Sequence, residues 1–150
     1  MKIALRGVTR GRLGIGTIAL GISIAVLEAS KEYAKSRVAF GKAIAHYQAV
    51  QLMIADMATD IEISRLLLYR AASMLDRKEK SLREISMAKI FASEAALRVT
   101  DKANEIHGAS GCSEDYNGER HVRDARALLL LAGSNEIQRF RIAAEELKLD

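Results

Sequence analysis

Several groups of side chains in this chain carry chemistry that could bind or react. Arg37 closes a long apolar run and precedes Phe40-Gly41-Lys42. A guanidinium there can fork onto phosphate oxygens, or simply offset the dipole at a helix end. Gly108 and Gly111 bracket Ala109-Ser110. A missing Cβ lets backbone approach a ligand, and Gly108 can equally cap a helix. Ser134 follows Gly133 at the expected start of the last helix, where a hydroxyl and free amides suit an anion. His107 and Cys112 invite a metal or thiol reading. The remaining histidines, His46 and His121, do not stand at ligand spacing, so no metal site is predicted and Cys112 is read as a packing residue.

The elements that position these groups are helical. The 150 residues suit one domain with a sizeable core. Proline is absent and aromatics are 5%, so long unkinked helices must be cored by Leu, Ile, Ala, Met and Val. The net charge of +4 is compatible with an anionic ligand. Lys and Arg are interleaved with Asp and Glu rather than blocked, which argues against nucleic acid. A single cysteine excludes an internal disulfide and fits a reducing compartment. No secretory leader is expected, and the uncharged run Leu13–Leu27 is shorter than the ~17–25 residues that span a bilayer.

A first helix is predicted over Arg12–Ser36, apolar nearly all round as far as Leu27, which implies a buried or interfacial helix and self-association. A second is predicted over Tyr47–Arg77, with the stripe Val50, Ile54, Met57, Ile61, Leu68, Ala72 and Leu75. Ser81 and Glu84 have capping-box spacing and start a third helix, whose stripe is Ile85, Ala88, Ala92, Ala95, Val99 and Ile106. After a loop over Gly108–Gly118 comes a stretch over Glu119–Leu131, then a last helix capped by Ser134 and ending near Leu147. The fold class expected is all-α, an antiparallel four-helix bundle in a single domain over residues 1–150.

Longer segments add a resemblance. They are Gly11-Arg12-Leu13-Gly14-Ile15-Gly16, Arg37-Val38-Ala39-Phe40-Gly41-Lys42 with Tyr47-Gln48-Ala49-Val50-Gln51, Glu105-Ile106-His107-Gly108-Ala109-Ser110-Gly111, and Arg120-His121-Val122-Arg123-Asp124-Ala125-Arg126 with Gly133-Ser134-Asn135-Glu136-Ile137-Gln138-Arg139. In order and spacing they resemble the C-terminal helical domain of the acyl-CoA dehydrogenase family, from Gly11 to Leu147. The resemblance implies FAD, an acyl-CoA substrate oxidised between its α and β carbons as in fatty acid metabolism, a homo-oligomer (dimer or tetramer), and electron transfer to an electron-transferring flavoprotein. It implies no nucleic-acid partner and no membrane span, and a cytoplasmic or, in a eukaryote, mitochondrial-matrix location.

By the same resemblance, Arg37 would contact the FAD pyrophosphate of a neighbouring subunit. Phe40 would pack near the cofactor, or belong to the core. Gln48 would lie near the cofactor, or face solvent. The stretch Glu105, Ile106, Gly108 and Ala109 would cradle the adenosine end through its backbone. Ser134 and Glu136 would reach the flavin from the last helix, and Arg12 would contact substrate. Arg123-Asp124 is read as a structural ion pair.

Departures cluster at these positions. Ala39 replaces a hydroxyl residue and so removes one donor to the cofactor; Glu105 replaces a glutamine and Ala109 a glycine, which argues for weaker FAD binding, weak or absent in the isolated domain, or for a rearranged pocket. The family's catalytic glutamate precedes a Gly-Thr or Gly-Ser pair, a position that is Ala132 here. The alternative base site falls at Gly11, and an aspartate expected three residues before Arg12 is Thr9. The residues thus imply an oxidoreductase domain without its base. The alternatives are a non-catalytic assembly domain, or altered flavin chemistry of the monooxygenase or oxidase type.

Overall fold

The computed structural model describes residues 2–114 and 118–149, the side chains of 2–6 aside. Five helices form the body: α1 (Lys2–Ser36), α2 (Gln48–Asp76), α3 (Leu82–His107), α4 (Gly118–Leu128) and α5 (Asn135–Glu146). Cross-helix pairs fix their directions. Arg98 of α3 grips Asp60 of α2 through two bonds of 2.7 and 2.9 Å, and Lys102 lies 3.6 Å from Asp56. Rising numbers meet falling ones, so α2 and α3 are antiparallel. Arg83 meets Glu146 and Ser86 meets Gln138, so α3 and α5 are antiparallel as well. Since α4 and α5 run on one after the other, the chain is a four-helix bundle whose last helix is broken at residues 129–134, as the apolar periodicity implies.

Alanine governs the spacing of the core. One cluster joins Ala19, Leu68, Ala71, Ile85, Ala88, Ala92, Ala96, Ala125 and Leu128; a second joins Val26, Ala34, Met57, Val99, Ala103 and Ile106. A Cβ on Gly16 would lie 2.7 Å from Leu68 Cδ2 and 3.6 Å from the Lys89 Cα, which is how closely α1 and α3 approach. Every residue of the predicted α3 stripe is buried, but the buried face is wider and takes in Ser86, Lys89, Ser93 and Thr100. In α2, Ala71 is buried where Ala72 was expected.

Other sequence expectations change. Helix α1 starts ten residues earlier than Arg12, at Lys2. By length and composition it is long and apolar enough to cross a bilayer, although its uncharged run is short. It packs along α3, yet only 28% of its most apolar window is buried within the chain, and Ile18 and Ile24 remain exposed. The break at Arg37–His46 is a two-residue hairpin of β1 (Val38–Ala39) and β2 (Lys42–Ala43). Its turn residues Phe40 and Gly41 both have positive φ, 49° and 83°, as the right-handed strand twist favours. The capping box is not made: Ser81 is buried without a side-chain cap bond, and Glu84 pairs with Arg83 instead. Ser134 occupies the N-cap position of α5 but likewise makes no side-chain cap bond. The pair Arg123-Asp124 is not an ion pair either; Arg123 bonds Glu119 one turn earlier, the geometry α-helical spacing offers.

Gly111 tests how tightly the α3–α4 corner is built. A Cβ there would lie 2.8 Å from the Asn104 carbonyl oxygen and 2.9 Å from its Cα, both backbone atoms that cannot swing aside. Gly111→Ala is expected to destabilise the domain by about 2 kcal/mol, read as a fall in urea midpoint at constant slope.

Candidate functional site

The corner between α4 and α5 is held by buried side chains from other helices. Ala132 has a positive φ of 56° and Gly133 one of 92°. At Gly133 a Cβ would also lie 2.8 Å from Gln138 Nε2. The turn therefore exposes its carbonyls inward, and three donors take them. Arg12 Nε donates to the Ala132 carbonyl (3.2 Å). Gln138 Nε2 donates to the Gly133 carbonyl (3.2 Å). Lys89 Nζ donates to the Leu129 carbonyl (2.9 Å), the Gly133 carbonyl (3.2 Å) and Asn135 Oδ1 (2.7 Å). Asn135 in turn donates to Ser93 Oγ and Glu94.

Lys89 is fully buried. Its three acceptors match the three protons of an ammonium. Burial nevertheless pushes its pKa down to about 8; Arg12 adds to that, while Glu136 and Glu94 oppose it. The folded value lies below the unfolded value of 10.5, so between about 8 and 10.5 folding releases a proton. Stability from this group is therefore lowest below about 8 and rises as the pH climbs toward 10.5. A carbon-detected NMR titration of the lysine side chains is expected to show one midpoint near 8 that disappears in Lys89→Met. A midpoint above 10 for Lys89 would show that water reaches it.

Arg12 is also buried, 6% exposed. Burial and the neighbouring Arg141 both lower its affinity for a proton. Glu136 is exposed, and its carboxylate is held below the ordinary range by its own backbone amide and by the Ser134 hydroxyl.

The structure divides the sequence-predicted residues between two ends of the bundle. Arg12, Ala132, Ser134 and Glu136 gather at the α4–α5 corner, with Gly11 exposed beside Arg12. Arg37, Phe40 and Gln48 lie at the far end of α1, ~37 Å along the helix from Arg12 at ~1.5 Å rise per residue. The Glu105–Ala109 stretch belongs to that far end: the Tyr33 ring stacks on His107 with centroids 4.4 Å apart, and its hydroxyl lies 3.4 Å from the His107 carbonyl. His107 Nδ1 donates to the Ala103 carbonyl at 2.7 Å, so this imidazole is part of the helix end. Ile106 is buried in the second core cluster, so only its backbone can face a ligand.

The far end has features that suit a flat anion. Phe40 is 98% exposed, and Arg37 is exposed with no carboxylate partner among the described residues. Gly108 has a φ of +60°, and the space a Cβ would take is open. Exposed Glu105 opposes an anion there.

Sequence reasoning missed Lys89, Asn135, Gln138 and Arg141. Ser86, Lys89 and Ser93 recur at helical spacing beside the alanine stripe, and a polar row on a core face was the available signal. Arg141 carried none, because only the tertiary structure brings it to the cleft that Arg12 also lines.

Residues 1–147 match the C-terminal domain of acyl-CoA dehydrogenase. The chain is 44% identical over 147 residues to the mitochondrial short-chain specific acyl-CoA dehydrogenase of Bos taurus, covering 98% of this chain and 36% of that protein. It is 41% identical over 145 residues to a subunit of the caffeyl-CoA reductase–Etf complex of Acetobacterium woodii, covering 97% and 38%. Among solved structures it is similar to butyryl-CoA dehydrogenase from Megasphaera elsdenii, with a TM-score of 0.95, 38% identity, and coverage of 97% of this chain and 38% of that one. The chain thus spans under two-fifths of the length of these relatives. With its bundle, its α4–α5 corner and these matches taken together, the chain belongs to the acyl-CoA dehydrogenase family, as the C-terminal helical domain.

Proposed function

We propose that this chain is the C-terminal part of an FAD-dependent acyl-CoA dehydrogenase-type oxidoreductase, contributing cofactor contacts and an oligomer interface. The observation that carries the reading is the α4–α5 corner: Arg12 and Lys89 are buried to hold a turn whose two central residues have positive φ. Strain of that kind persists where surrounding structure over-determines it, and it clusters at functional sites. FAD, when bound, would accept the hydride from the β carbon of the acyl group. The chain's own residues would position and bind. Ser134 and Glu136 present the N-terminus of α5, where a dipole and free amides suit an electron-rich group. Arg37, Phe40 and the open backbone at Gly108 would hold the pyrophosphate and adenosine end.

These two sets lie too far apart along α1 for one cofactor to touch both in one chain. A second copy must bring its Arg37 end to the first copy's α5, which supports a homo-oligomer, dimer or tetramer. Exposed Ile18, Leu66, Tyr69 and Phe140 give such an assembly apolar surface to bury. Transfer of electrons to an electron-transferring flavoprotein, and a cytoplasmic or mitochondrial-matrix location, follow from the same reading.

Ala132 favours a second reading, in which the domain keeps the fold and cofactor but not ordinary dehydrogenation. Neither Ala132 nor Gly11 can accept the α proton. The test is to purify the full-length protein, record its visible spectrum and add acyl-CoA. A yellow protein bleached slowly by acyl-CoA is the expected result. A yellow protein that acyl-CoA never bleaches would support the second reading, and a protein that stays colourless after incubation with FAD would overturn both.

A further inference from the structure

Two buried cations hold the α4–α5 turn, and neither meets a carboxylate. Lys89 Nζ donates to the Leu129 carbonyl at 2.9 Å, the Gly133 carbonyl at 3.2 Å and Asn135 Oδ1 at 2.7 Å. Arg12 Nε donates to the Ala132 carbonyl at 3.2 Å. Among the described residues no carboxylate lies within ion-pair distance of either cation. The charged groups that act on Lys89 are Arg12 from α1, Glu94 farther along α3 and Glu136 on α5. Glu94 is already taken by Arg139 at 2.5 Å, and Glu136 is exposed, where solvent screens it.

Holding the turn does not require a charge. Gln138, an uncharged amide to which Ser86 donates at 3.0 Å, itself donates to the same Gly133 carbonyl at 3.2 Å. Ser93 likewise donates to Asn135 Oδ1 at 3.3 Å. A buried ammonium with no counter-charge carries a desolvation penalty that neutral donors avoid. The positive charge is therefore the part of Lys89 that scaffolding leaves unexplained. Its direction is defined by the fold. Lys89 and Arg12 back the inner side of residues 132–135. Ser134 and exposed Glu136 stand on the outer side, at the N-terminus of α5, whose dipole is positive in the same sense. Asn135, which Lys89 grips, lies between those two residues. Fixed charge on the dry side of a turn favours negative charge that develops on the other.

We propose that Lys89, with Arg12 behind the same turn, acts on the cofactor through its charge and favours the reduced flavin over the oxidised one. This rests on the reading that Ser134 and Glu136 reach FAD. Uptake of a hydride, two electrons and one proton, turns the neutral oxidised isoalloxazine into an anion, and charge near the ring is a lever by which a protein tunes it. Lys89 is thus a positioning residue that works through the turn.

The experiment uses the full-length protein with FAD and measures the flavin reduction potential, by equilibration with redox dyes and without acyl-CoA, in the wild type, Lys89→Met and Asn135→Asp. Asn135→Asp keeps an acceptor for Lys89 and pairs its charge, so it separates charge from scaffolding. At neutral pH each variant is expected to shift the equilibrium about tenfold toward oxidised flavin, about 30 mV for a two-electron couple. In the wild type the potential is expected to fall more steeply over about one pH unit above 8, because the reduced cofactor holds the proton on Lys89; Lys89→Met lacks that step. A wild-type potential in Lys89→Met would overturn the proposal and leave Lys89 as scaffold alone. A fall in Lys89→Met with none in Asn135→Asp would overturn it too, assigning the effect to a displaced turn. If Lys89→Met no longer holds FAD, Asn135→Asp and the wild-type pH profile decide the question. A wild type that takes up no FAD would remove the cofactor reading itself.

Discussion

Ala132→Glu in the full-length, FAD-loaded protein raises the rate of acyl-CoA-dependent flavin reduction by about a hundredfold, near the low end of what a positioned general base supplies. The backbone imposes no new penalty, because Ala132 already holds a Cβ at a φ of 56°. The new carboxylate would stand beside Arg12, whose Nε lies 3.2 Å from the residue's carbonyl, with Arg141 close by. Those cations hold a carboxylate in its charged form and lower its basicity, so the gain falls short of the full ten-thousand-fold. Single-turnover loss of the oxidised flavin's visible absorbance measures it. Gly11→Glu offers an independent arm, since a Cβ at Gly11 meets nothing within 4 Å. If neither variant accelerates bleaching while FAD stays bound, the site differs from its relatives in more than the base.

Lys89→Met costs about 3 kcal/mol of stability, a fall of roughly 6–12 °C in thermal midpoint for a domain of this size. Methionine fills most of the lysine's volume, so the loss comes from acceptors rather than from a cavity. The Leu129 carbonyl and Asn135 Oδ1 lose their ammonium partner, and the Gly133 carbonyl keeps only Gln138. Removing a buried charge gives something back, since holding an ammonium out of water is costly. That offset is why the figure is below the sum of the stranded acceptors. Calorimetric melting checks it. A fall of less than 2 °C would mean that water enters and satisfies the turn. Because the turn carries Ala132 and Ser134, the variant should also lose FAD affinity in the full-length protein.

Much of this molecule was legible in its residues. The lack of proline, the alanine-rich stripe from Ile85 to Ile106 and the glycine breaks at Gly108 and Gly133 define the helices and where they stop. Local periodicity carries that information, because burial selects for it along each helix separately. Recurrent segments such as Arg37–Lys42 and Gly133–Arg139 carried the family likeness, and the vacancy at Ala132 was visible by position alone.

What the sequence by itself did not determine were relations between helices. Lys89 reads as a helix-surface cation until α4 and α5 fold over it and hand it the Leu129 and Gly133 carbonyls. Ser81 and Glu84 have the spacing of a capping box, yet burial of the serine and the competing Arg83 side chain break it. Arg12 and Arg141 stand 129 positions apart in the sequence, and nothing in either neighbourhood announces the other. Only the tertiary structure brings the two arginines to the walls of one cleft. Local patterns fix elements because backbone hydrogen bonds and amphipathic burial are local terms; charge pairing and desolvation depend on distance in space, so the tertiary structure decides them.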